Sequence, residues 1–306
     1  MDKVPREKQD SSLEGVLRFA ISQSDGNATD APVEEMDNER KEFLNNVLKS
    51  MSSNVSDELK NSVKVLSEPS ANNSEKLDAL AFIRDNADNI DFANAFAKTG
   101  GTKVLIECIE AEDTEISSNA IYIVGEMAQN NPFCQQHFID ARVVPLLTSQ
   151  LDREEVVTCA ALYALSAICR SYKPGCMEFI KNNGVEVLLI SLRSPNSKIF
   201  IKSAFLISVL SSEYPNFRDQ LAKTNAMELL VNNIENLVGF DMKLDAVLRA
   251  LSQLTGSTKW NLSSSTQLKL EQSLKTIIER DNNLDACKEM VEYAEKILKN
   301  IKSHVL

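Results

Sequence analysis

From about residue 39 onward, apolar residues recur at three- and four-residue intervals, the spacing that gathers them on one face of an α-helix. Short Gly, Asn or Pro breaks separate these runs. The runs also repeat. FAKTGGTKVL from Phe96, FIDARVVPLL from Phe138, FIKNNGVEVL from Phe179 and LAKTNAMELL from Leu221 begin 42, 41 and 42 residues apart. A second register lies between them: ALAFIRDNADN from Ala79, AIYIVGEMAQN from Ala120, ALYALSAICRS from Ala161, AFLISVLSSEY from Ala204 and AVLRALSQLTG from Ala246. Its spacings are 41, 41, 43 and 42. Each unit reads as a helix of small and apolar residues, a break, and a shorter apolar helix.

A shared period near 42 residues, with two or three helices per unit, falls in the armadillo and HEAT range and exceeds the tetratricopeptide and ankyrin periods. The pattern predicts an all-α, armadillo-like repeat solenoid wound as a right-handed superhelix, with HEAT as the near alternative. One unit cannot bury its apolar stripe alone, so stacked units share a continuous core and present an inner face lined by the longer helices. Residues 39–306 are expected to form this domain. Two amphipathic helices at about 39–67, with Asn38 and Ser56 as candidate caps, close its N-terminal end, and a charged helical pair at about 266–302 closes the other. Residues 1–38 are too polar to repay ordering and are expected to be a flexible, disordered segment. Within it, LEGVLRFAIS forms an apolar island, either a stub of helix docking on the solenoid or a portable binding motif.

Composition removes several functions. The net charge of −11 and the lack of a basic stripe argue against nucleic acid. Six scattered cysteines without a C-x-x-C pair read as buried free thiols in a reducing compartment. No run of about 18 apolar residues and no signal-peptide core is present, so the expected location is the cytoplasm, with no membrane partner. Only two histidines occur, His137 and His304, outside any metal or hydrolase motif. The glycines of KTGGTKV do not complete a phosphate-binding loop. The expectation is therefore a protein that is not an enzyme and needs no cofactor or metal. A single Trp, Trp260, leaves the repeats without the Trp and Asn array by which nuclear-import receptors of this fold hold basic peptides.

Several segments at consistent separations carry a family resemblance: GVLRFAIS near the N-terminus, DNADNIDFANAF at 85–96, AIYIVGEMAQNN at 120–131, ALYALSAICR at 161–170 and KSAFL at 202–206. Together they resemble the cytosolic armadillo-type nucleotide-exchange factors of heat shock protein 70, the group of the Hsp70-binding protein and its fungal Fes relatives. The capped solenoid is expected to be a monomer, and the resemblance implies a co-chaperone that grips the chaperone's nucleotide-binding domain on its concave face, promoting release of ADP and of client. It implies chaperone contacts at Asn89, Ile90, Asn130, Arg170 and Lys202, although Ile90 departs from the small residue expected there. It also implies a client-release segment at Leu17, Phe19, Ala20 and Ile21. On the KSAFL helix, Ala204, Phe205 and Leu206 are expected to face the core and Lys202 the groove. The competing expectation is an armadillo scaffold or transport adaptor that binds extended peptides.

Overall fold

The computed structural model describes residues 55–234, 239–257, 260 and 262–304, all within the second of two units into which the chain divides, Asn54–Leu306. The client-release segment Leu17, Phe19, Ala20 and Ile21, the rest of 1–38, and residues 39–54 of the expected N-terminal cap lie outside the described residues. Among the described residues every regular element is helical. The helix over 55–67 (α1) passes through Ser56, which is therefore not its cap.

The break inside each first-register string separates two short helices, so each repeat has three. After α2 (Asn73–Asn86), the first repeat is α3 (Ile90–Lys98), α4 (Gly101–Ile109) and α5 (Thr114–Ala128). The second is α6 (Pro132–Asp140), α7 (Val143–Ser149) and α8 (Glu155–Cys169); the third is α9 (Lys173–Lys181), α10 (Gly184–Ser191) and α11 (Ser197–Glu213). The fourth is α12 (Pro215–Ala222), α13 (Ala226–Asn232) and α14 (Met242–Leu254), followed by α15 (Ser264–Asp281) and α16 (Lys288–His304).

Local chemistry explains the boundaries. Gly100, Arg142 and Asn183 take left-handed φ values of 85°, 59° and 61° and turn the chain sharply between the first two helices of a repeat. Proline in the first turn of α6, α9 and α12 starts those helices where no intrahelical N–H is needed. Side-chain oxygens of Asn72, Asp113, Asn196 and Asp241 accept first-turn N–H groups of α2, α5, α11 and α14.

The register residues build the core. Phe96, Phe138, Phe179 and Leu221 are completely buried, as are Leu105, Leu147, Leu188 and Leu230 from the second helices. Small residues at Ala120, Ala161 and Ala204 let the third helices approach closely. As a result α2, α5, α8, α11, α14 and α16 pack each on the next, forming one continuous ladder. The α8–α11 joint is more sparsely packed than α5–α8 or α11–α14, and the site lies there.

Candidate functional site

A pocket of about 190 Å³ opens at the α8–α11 joint. Leu162, Tyr163, Ser166, Ala167 and Arg170 form one wall, Lys202 and Phe205 the other, and Gln129 and Asn130 close it from the preceding repeat. Three of the five expected contact residues, Asn130, Arg170 and Lys202, thus meet in one recess.

Each is set in place by backbone chemistry. Arg170 ends α8 in extended geometry, and the next residue, Ser171, turns left-handed at φ 52°. The buried Gln135 amide donates to the carbonyls of Ala167 at 2.8 Å and Arg170 at 3.3 Å, satisfying acceptors that the helix end leaves free. The Ser171 N–H donates to Glu213 at 2.7 Å, tying this turn to the end of α11. Asn130, at φ 55°, occupies the corresponding left-handed position 41 residues earlier. Asn tolerates that conformation better than most side-chain-bearing residues.

Lys202 lies half-buried on α11. Lys198, one turn before it, is held by Glu155 at 2.7 Å, and Asn196 donates to the same carboxylate at 2.6 Å. The hydrogen bond from Lys198 holds the Glu155 carboxyl below its usual range. No ion pair engages Lys202 or Arg170 among the described residues.

Tyr163 forms the pocket's polar edge. Its hydroxyl donates to Glu126 at 3.0 Å and lies 3.0 Å from the Gln129 side-chain oxygen. Burial and the Glu126 carboxylate push its pKa up to about 12, so the phenol stays protonated at neutral pH. Its ring stands 5.7 Å from that of Tyr122, which in turn carries the Arg84 guanidinium at 5.0 Å. Gly125 makes room for this arrangement, since a Cβ there would approach the Tyr163 ring to 2.5 Å.

Phe205 does not face the core. Ala204 and Leu206 are buried while Phe205 is 38% exposed. Three consecutive helical residues sweep about 200° and cannot share one face. Phe205 follows Tyr163 by 42 residues, and Tyr163 follows Tyr122 by 41. This aromatic spacing obeys the repeat period and is visible in the sequence, although the outward direction of Phe205 is not.

Asn89 and Ile90 are not in the pocket. Asn89 caps α3, its side-chain oxygen accepting the Phe92 N–H at 3.0 Å, and Ile90 is 55% exposed beside it. Asn131, which accepts the Cys134 N–H at 3.3 Å, plays the same role in the next repeat. The counterpart of Asn89 is therefore Asn131, and Asn130 belongs to the turn before it. Among the described residues no three His, Cys, Asp or Glu side chains gather to hold a metal. All six cysteines are free and buried, and burial pushes the Cys108 and Cys134 thiols up to about 11 and Cys176 to about 12.

Two family models match. The SIL1/FES1/HPBP1 C-terminal domain matches residues 92–227, and the Nucleotide exchange factor Fes1 matches residues 13–96. Human Hsp70-binding protein 1 is 26% identical over 236 residues, covering 72% of this chain and 66% of its own length. Its Macaca fascicularis counterpart is 27% identical, with 65% of its length covered, so the chain spans just under two thirds of these mammalian relatives. The Hsp70 nucleotide exchange factor FES1 of Eremothecium gossypii is 27% identical over 209 residues, covering 65% of this chain and 72% of its own. Among solved structures, a designed armadillo repeat protein superposes on 79% of this chain with a TM-score of 0.65 at 16% identity. That likeness establishes the armadillo fold.

Proposed function

We propose, from the premise that this chain belongs to the SIL1/FES1/HPBP1 family, that it is a nucleotide-exchange factor for a cytosolic Hsp70. It binds the chaperone's nucleotide-binding domain and promotes release of ADP and then of client. The observation that carries this reading is the meeting of Asn130, Arg170 and Lys202, from three successive repeats, in one pocket on the third-helix ladder.

The mechanism requires differential binding and no bond chemistry. A partner that holds the chaperone's open state more tightly than its ADP-bound state lowers ADP affinity by the same factor. The stack of third helices supplies a surface long enough to select one lobe orientation. Lys202 and Arg170 bind at its centre, with Asn130 beside them and Asn89 and Ile90 one repeat toward the N-terminus. Leu17, Phe19, Ala20 and Ile21 act separately, by occupying the site that a released client would re-enter. The protein works in the cytoplasm as a monomer and is not an enzyme.

The test is release of a fluorescent ADP analogue from a purified cytosolic Hsp70. Saturating protein is expected to accelerate release, and Lys202→Glu to reduce the effect without lowering the melting temperature. An unaltered release rate at saturation would refute the reading.

A further inference from the structure

Arg170 and Lys202 line the α8–α11 pocket and no carboxylate does. The whole chain carries 44 acidic residues against 33 basic ones, so this recess runs opposite to the average surface. Two other cations of the third helices are paired. Lys198 is paired with Glu155 at 2.7 Å, and on α14 Arg249 reaches both Asp245 and Glu289 at 3.3 Å. Arg170 and Lys202 have no such partner among the described residues. Two cations without an ion pair, beside a partly apolar recess, attract an anion more strongly than they would on a fully open surface.

The size of the recess selects the anion. At about 190 Å³ it falls below the range of roughly 300–1,000 Å³ typical of small-molecule sites. It suits one inserted side chain of a protein partner. Leu162, Tyr163 and Phe205 add apolar surface to the lining that holds the two cations, the setting in which an interface anchor is desolvated and most effective.

We propose that this pocket receives a single acidic side chain of the partner protein. Its carboxylate sits between Arg170 and Lys202, and its methylene stem lies against Phe205 and Tyr163. The inference rests on the exchange-factor reading and adds to it a ligand chemistry and two contact residues, Tyr163 and Phe205.

The test measures binding of the full-length chain to a purified cytosolic Hsp70 at about 0.05 and 0.5 M salt. Lys202→Met and Arg170→Met are each expected to weaken binding by about tenfold and to flatten its salt dependence. Lys202→Arg is expected to retain most of the affinity. Phe205→Ala is expected to weaken binding while leaving the salt dependence unchanged. Lys299→Met, the same charge change on exposed α16 surface, is expected to bind as the unaltered protein does. Unchanged melting temperatures establish that the variants fold. If Lys202→Met and Arg170→Met bind with full affinity and full salt dependence, the acidic-anchor assignment is wrong while the exchange reading stands. If the unaltered protein does not bind the chaperone, both fall.

Discussion

Gly125 shows how one missing side chain fixes the chemistry two helices share. A Cβ there would enter the Tyr163 ring at 2.5 Å and come within 3.3 Å of the Ala164 backbone, so the ring would have to leave Glu126 and Gln129. Gly125→Ala is expected to cost about 1–3 kcal/mol by urea denaturation, despite the better helix propensity of Ala. A neutral or stabilising result would mean that Tyr163 has another seat. Protonation gives a second residue-scale prediction. The folded chain holds the protons of Cys108 and Cys134 up to about 11 and of Cys176 and Tyr163 up to about 12, above their ordinary values near 9 and 10. The unfolded chain loses these protons first, so these four groups put no slope on stability below about pH 8.5 and make it decline between about 9 and 12. Denaturation midpoints across that range check the slope, and a flat profile would contradict the burial. Side-chain direction was the hardest feature to read from sequence. Phe205 sits between two buried neighbours in a string of apolar letters, and only the 100° helical step reveals that it points outward.

At the scale of elements, repeats are joined by polar clasps that periodicity does not display. Arg153, just before α8, donates to the carbonyls of Ala111 at 3.2 Å and Glu112 at 3.3 Å, to the Ser117 hydroxyl at 3.1 Å and to Gln150 at 3.1 Å. One guanidinium therefore satisfies the chain after α4, the start of α5 and the 3₁₀ turn Gln150–Asp152 that precedes it. Arg153→Ala is expected to lower stability by about 2 kcal/mol, and Arg153→Lys to recover only part, because an ammonium lacks the planar fork that spans these acceptors. Full recovery by lysine in chemical denaturation would show that charge alone matters. The two registers announced the third helices and the buried Phe and Leu rows correctly, because packing periodicity is written in every repeat. They did not announce the partition of functions at the breaks. Asn89 and Asn130 are 41 residues apart, yet one caps a helix and the other turns the chain at φ 55°. The sparser packing of the α8–α11 joint was equally hidden, since it depends on how two faces meet.

For the described array as a whole, contacts run between successive repeats, and stability should be distributed in the same way. The C-terminal pair illustrates the consequence. On α16, Ala294, Ile297 and Ile301 are fully buried, as are Val247, Leu251 and Leu254 on α14, the helix it covers. Removing residues 264–306 would expose that α14 face to water, a contiguous apolar strip of the kind that drives self-association. The truncated protein is expected to associate by light scattering and to lose hydrogen-exchange protection in α12–α14. In α3–α8, whose contacts lie one or more repeats away, protection should persist, because nearest-neighbour coupling transmits the loss only to the adjacent unit. Uniform loss of protection along the ladder would instead mean that the array unfolds as one cooperative body. The α8–α11 pocket would then depend on its distant cap as much as on the helices that line it.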